Sequence, residues 1–164
     1  MKKKLQNFVT EFETNGYVVS EVESYESLNF ISNFFKKSFS NKYKEAKKID
    51  EDLNKIHNFI KPKYLNNFRV DLFNKFNENT KLKQAYFNLA TNLIENIVGN
   101  ELAMQKRINI SIQLPNDKSS LLPLHSDTWS GDSPFEVVLW LPLVDCYQSK
   151  SMFILNQKKL KKFN

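Results

Sequence analysis

Apolar residues in the first part of the chain recur at helical spacing, and those in the last part recur at every second position. Leu5, Phe8, Val9 and Phe12 form one amphipathic stripe, closed by Asn15-Gly16. Tyr17-Val18-Val19 is a short candidate strand. Leu28, Ile31, Phe34, Phe35 and Phe39 mark a second helix, and Ile49, Leu53, Ile56 and Ile60 a third that Pro62 stops. Leu65, Phe68, Leu72, Phe73 and Phe76 mark a fourth. Leu82, Tyr86, Leu89, Leu93 and Ile97 mark a fifth, ended by Gly99 where a left-handed cap is wanted.

Beyond Gly99 the period is two. Ile108, Ile110, Ile112 and Leu114 alternate with Arg107, Asn109, Ser111 and Gln113 before the turn Pro115-Asn116-Asp117. Phe135, Val137, Leu139 and Leu141 alternate with Glu136, Val138 and Trp140 up to Pro142, and Met152-Phe-Ile-Leu155 is a last short strand. The expected fold class is therefore α+β. A mainly helical region, 1–99, would pack on the first strands, 100–155, of a partial antiparallel double-sheet barrel, a jelly roll, in a single domain spanning 1–164. Four strands do not close such a barrel, so a second chain or an oligomer is expected to complete it, and open strand edges would favour association.

Composition narrows the functional classes. No apolar run approaches membrane-spanning length, and the basic start Met1-Lys-Lys-Lys-Leu is not followed by a signal-peptide core. Cytoplasmic residence is expected, and a single cysteine, Cys146, excludes an internal disulfide and suits a reducing compartment. Cys146 reads as a small buried residue. The net charge of +6 suggests a nucleic-acid partner, but only two of the 24 basic residues, Arg69 and Arg107, are arginines. Arginine is preferred for bidentate phosphate and guanine contacts, so solvated lysine faces explain the charge better. Neither nucleic acid nor membrane is expected as a partner.

The candidate chemistry lies in Ser119-Ser-Leu-Leu-Pro-Leu-His-Ser-Asp-Thr-Trp-Ser-Gly-Asp132. On an extended backbone His125 and Asp127 project to the same side, one offering a neutral nitrogen and the other an anionic oxygen. Such a pair favours a divalent first-row metal over calcium, and it is the first half of the two-histidine, one-carboxylate triad of non-haem Fe(II). Trp129, Ser130 and Gly131 follow as a loop able to line a cavity mouth. Asn109, Ser111 and Gln113 share one face of a candidate strand, able to hydrogen-bond a carboxylate co-substrate, although one-sided polarity also fits simple half-exposure. Trp129 and Trp140 read more readily as core than as a substrate platform, His57 as a surface or packing residue of a lysine-rich helix, and Asp132 and Glu136 equally as extensions of the ligand set or as turn cap and exposed strand position. A zinc hydrolase using the same pair is a weaker reading, since catalytic zinc usually has three protein ligands.

The stretch from Asn100 to Leu155 resembles the iron- and 2-oxoglutarate-dependent oxygenases related to phytanoyl-CoA dioxygenase, most of all members encoded in carbohydrate biosynthesis clusters. The resemblance rests on Val98-Gly-Asn-Glu-Leu-Ala-Met-Gln-Lys-Arg107, Ser111-Ile-Gln-Leu-Pro115, Leu124-His-Ser-Asp-Thr-Trp-Ser-Gly-Asp-Ser-Pro-Phe-Glu136, Leu139-Trp-Leu-Pro-Leu-Val-Asp-Cys-Tyr147 and Lys150-Ser-Met152. It implies a jelly-roll dioxygenase that couples oxidative decarboxylation of 2-oxoglutarate to hydroxylation of a small carbohydrate-pathway substrate. His125 and Asp127 match the family's proximal iron ligands. The family's distal histidine and the arginine that follows it have no counterpart after Asp127. By this resemblance the chain corresponds to the N-terminal portion of such an enzyme, truncated before the second half of its site. A non-catalytic, partner-binding form is the alternative expectation.

Overall fold

Five helices carry the hydrophobic stripes in a computed structural model of the chain, which describes residues 2–43, 53–118 and 121–155. They are α1 (Lys2–Asn15), α2 (Tyr25–Lys42), α3 (Pro62–Glu78), α4 (Thr80–Asn88) and α5 (Thr91–Val98), with short 3-10 turns at Leu53–Asn58 and Asp127–Ser130. Three of the starts have a local cause. Ser24 Oγ accepts the Ser27 N–H at 3.1 Å ahead of α2, and Pro62 opens α3 from the extended Lys61, where its missing N–H costs nothing. Asn79 ends α3 and starts α4, its Oδ1 accepting from the backbone of Lys81 at 3.0 Å and Leu82 at 3.3 Å. The fifth periodic stretch, read as one helix, is two: α4 and α5 part at Leu89–Ala90. There the Glu23 N–H takes the Leu89 carbonyl at 2.7 Å, and the Glu23 carboxylate caps α5 through Asn92 N–H at 3.0 Å and Leu93 N–H at 2.9 Å. A charged acceptor on the freed amides of a helix start offsets the broken ladder.

Packing follows the stripes. α2 lies against α4, α3 against α4, and α1 against α5. Phe39, Ile60, Leu65, Phe68 and Leu72 gather in one buried cluster with Ile112 and Leu114. Ile31, Phe76, Leu82, Ala85 and Leu89 gather in a second with Ile108. Phe34, Phe35 and Ile110 pack against both, so the clusters are continuous. Edge-on aromatic contacts knit them together, with Phe39 and Phe68 at 5.9 Å and Phe34 and Phe76 at 5.7 Å between ring centres.

The α+β expectation is overturned. Among the described residues there is no strand, and the jelly roll is not formed. The fold is helical with extended segments laid on its surface. Alternation in the segment Ile108–Leu114 is nevertheless real: Ile108, Ile112 and Leu114 are buried and Ile110 half-buried, while Asn109, Ser111 and Gln113 are exposed. A pleated segment has period two whatever lies beside it, so the pattern reports an extended chain on an apolar surface and does not require a sheet. Helix side chains occupy the place of a neighbouring strand. Asn77 donates to the Ile108 carbonyl at 3.0 Å and accepts the Ile108 N–H at 2.7 Å, and Arg69 donates to the Ile112 carbonyl through Nε at 2.9 Å. Farther along, Tyr86 Oη–H donates to the Leu139 carbonyl, and Asn54 exchanges bonds with Asp145, Nδ2–H to Oδ2 at 3.1 Å and Oδ1 from the backbone N–H at 3.0 Å.

The candidate strands Tyr17–Val19, Phe135–Leu141 and Met152–Leu155 do not form strands either. Ile49 of the expected third helix lies outside the described residues, Leu53 and Ile56 lie in the 3-10 turn Leu53–Asn58, and Ile60 follows that turn. No described helix is long and apolar enough to cross a membrane.

Candidate metal-binding pair

His125 and Asp127 meet at the surface on the stretch that leads into the second 3-10 turn. Ser126 between them is extended, with φ −118° and ψ 139°, and Asp127 begins the turn. The turn is fixed at both ends. Trp129 N–H donates to the Ser126 carbonyl at 2.9 Å, and Asp132 N–H closes on the Asp127 carbonyl at 3.3 Å. Ser126 Oγ lies 2.8 Å from Thr128 Oγ1. Gly131 turns the chain back with φ +99°, a left-handed conformation that a Cβ would strain.

The imidazole is oriented by its own backbone. His125 Nδ1 lies 2.7 Å from the Pro123 carbonyl oxygen. A carbonyl only accepts, so Nδ1 carries the proton and, in the neutral ring, Nε2 keeps its lone pair. That nitrogen faces Asp127 Oδ1 at 3.5 Å. Fixing the tautomer of a ligand histidine by a hydrogen bond from its other nitrogen is a recurrent device of metal sites. Two donors 3.5 Å apart, each about 2.1 Å from a shared ion, subtend an angle of about 110°. A right-angled pair in an octahedral shell would need about 3.0 Å with the same bond lengths. The two side chains keep 42% and 56% of their surface in solvent, so entry of an ion is unobstructed.

Of the other expected site residues, Trp129 stays beside the pair, two residues beyond Asp127 and 71% exposed. Asn109 and Gln113 are exposed on the outer face of the segment held by α3. Trp140 is also exposed, so neither tryptophan is core. Cys146 is exposed rather than buried. His57 is exposed on the Leu53–Asn58 turn, its Nδ1 3.1 Å from the Asn54 carbonyl oxygen. Among the described residues no group of three or more His, Cys, Asp or Glu side chains gathers where one ion could be held. Arg69 is committed to Ile112 and lies 3.8 Å from Asp117, and Arg107 stacks over Phe73 at 5.8 Å. The two described surface clefts lie elsewhere, one between α2 and α3 at Ser38, Asn41 and Asp71, the other between α4 and Leu102–Lys106.

Sequence reasoning found the pair from its spacing alone. It did not foresee the Pro123 carbonyl as the group that sets the ring, which depends on the bend at Leu124. Compared with protein-family models, with curated proteins and with solved structures, the chain matched nothing in any of the three.

Proposed function

We propose that the chain carries the proximal half of the iron site of an Fe(II)- and 2-oxoglutarate-dependent oxygenase acting on a small carbohydrate-pathway metabolite. The observation that carries this reading is the preset pair: Nδ1–H of His125 on the Pro123 carbonyl, with Nε2 open beside the Asp127 carboxylate. The sequence blocks around Leu124–Glu136 and Leu139–Tyr147 support it through their resemblance to that family. A neutral nitrogen and an anionic oxygen suit Fe(II), and binding through two protein groups leaves positions for a chelating co-substrate. Bound together, iron and 2-oxoglutarate would supply, with dioxygen as the oxidant, oxidative decarboxylation to succinate and CO2 coupled to hydroxylation of the substrate.

This chain's own part is to hold and orient. Pro123 fixes the ring, Asp127 would offset cationic charge, and Trp129, two residues on in the turn, is the apolar side chain assigned to the mouth of the site. Asn109 and Gln113, on the exposed face of the Ile108–Leu114 segment, are the amides the family resemblance would offer to the co-substrate carboxylate. The proposal assigns the third nitrogen, and the cation that pairs with the far carboxylate of 2-oxoglutarate, to a second polypeptide, because neither described arginine faces the pair. Anaerobic Fe(II) binding with and without 2-oxoglutarate tests the site, followed by succinate formation in the presence of a completing chain. Loss of both in Asp127→Ala is expected, and succinate formation unchanged by that substitution contradicts the assignment.

A non-catalytic partner-binding role is the second reading, favoured by the large apolar side chains that 121–155 leaves in solvent, among them Leu122, Phe135 and Phe153. It expects association that is indifferent to iron.

A further inference from the structure

We propose that the His125–Asp127 pair joins two copies of this chain through one shared zinc-class ion, each copy giving Nε2 of His125 and Oδ1 of Asp127. The inference rests on the metal-binding part of the reading above and not on its redox chemistry. The donor count points to it first. A structural zinc ion takes four protein ligands in a tetrahedron, whereas one copy presents two side by side and no third gathers beside them among the described residues. The angle points the same way. The 3.5 Å separation corresponds to about 110° at an ion bound at about 2.1 Å, close to the tetrahedral value, and a rotation of either exposed side chain that closes it to about 3.0 Å gives the octahedral edge of the iron reading. A two-fold axis through the ion then generates the remaining nitrogen and oxygen without any other residue type.

Charge and surface agree with this arrangement. Two carboxylates balance the two positive charges of the ion, and the histidines remain neutral. The pair stands on an exposed ridge, with Leu122 and Leu124 before it and Trp129 after it, all more than half exposed. A two-fold contact places the same patch against itself, so these three side chains would cover their counterparts as the ion is shared. The Pro123 carbonyl holds the imidazole, and the backbone bonds of the 3-10 turn hold the main chain that carries Asp127, so no refolding is needed to present the two donors. With all four positions filled by protein, the bridged form has no open position and would be silent in the oxygenase chemistry.

Sedimentation and native mass spectrometry of the full chain, titrated with Zn(II) and separately with Co(II), test the proposal. A dimer holding one ion per two chains is expected, with the intense visible absorption of tetrahedral Co(II). His125→Gln and Asp127→Asn should stay monomeric at the same metal concentration while keeping the parent's far-ultraviolet circular dichroism, and His57→Gln should dimerise like the parent. One ion bound per monomer overturns the bridge but leaves the pair a ligand for the proposed iron. No ion bound, or a dimer that forms without metal and survives Asp127→Asn, overturns the bridge; the first of these removes the iron assignment as well.

Discussion

Asn77 gives Ile108 the two bonds that an opposite residue in an antiparallel ladder would give, one donated and one accepted. The extended segment can therefore bury Ile108 and Ile112 without leaving those peptide groups dry. Removing the amide in Asn77→Ala strips both bonds from a partly buried site and is expected to cost about 2 kcal/mol, measurable by urea unfolding. Asn77→Asp retains an acceptor for the Ile108 N–H but sets a carboxylate oxygen against the Phe73 and Ile108 carbonyls that the amide joins at 2.9 and 3.0 Å, and should cost at least as much. Tyr86 is a second such fastener. Burial pushes its hydroxyl up from 10.0 to about 12, because the phenolate would be formed away from water. Its folded value is raised above the unfolded one, so the stabilisation is complete below pH 10.0 and is lost as pH rises toward about 12. Stability of the parent should decline across that window, and Tyr86→Phe should show a shallower decline there while being less stable at neutral pH through loss of the bond to Leu139.

Helices were legible because their stripes face a core that the chain itself supplies. Leu65, Phe68, Leu72 and Phe76 are spaced along α3 as read, and all four are buried. Truncating one of them, Phe68→Ala, should cost about 3–5 kcal/mol in the same unfolding assay. Gly99 ends α5 at φ +90° and ψ 179°, a combination that glycine alone adopts readily, so Gly99→Ala should cost about 1–3 kcal/mol by thermal unfolding although nothing blocks the added methyl. What the stripe could not reveal was the break at Ala90, because its cause lies far off in sequence, in the backbone and carboxylate of Glu23. The strands failed for a related reason. Alternation at Ile108–Leu114 fixes which side chains turn inward, and it did so correctly. It is silent about what lies along the edges, and here Asn77 and Arg69 fill the positions of a strand. The His125–Asp127 pair was legible because its geometry is local, needing only the extended Ser126 between the two.

For the molecule as a whole, burial is uneven. The helices and the first extended segment share a continuous core, while residues 121–155 contribute no buried side chain and expose Phe135 at 87% and Leu122 at 76%. This stretch also carries Asp127, Asp132, Glu136 and Asp145 against a single lysine, Lys150, in a chain of net charge +6. An acidic, apolar stretch on a basic chain is suited to a cation and poorly suited to holding a dianion unaided, which is why the proposed oxygenase site takes its co-substrate cation from a second polypeptide.

The pair of histidines in this sequence permits a direct test of the central claim, that His125 is a preset metal ligand. Long-range proton–nitrogen NMR of the uniformly labelled chain resolves the ring nitrogens of His57 and His125 and reports the tautomer of each. The expected spectrum shows His125 protonated at Nδ1 in its neutral form, with its Nε2 resonance shifting on addition of Zn(II), lost from that response in Asp127→Asn, and with His57 unmoved. A His125 ring protonated at Nε2, or one that ignores the ion while His57 responds, would contradict the account.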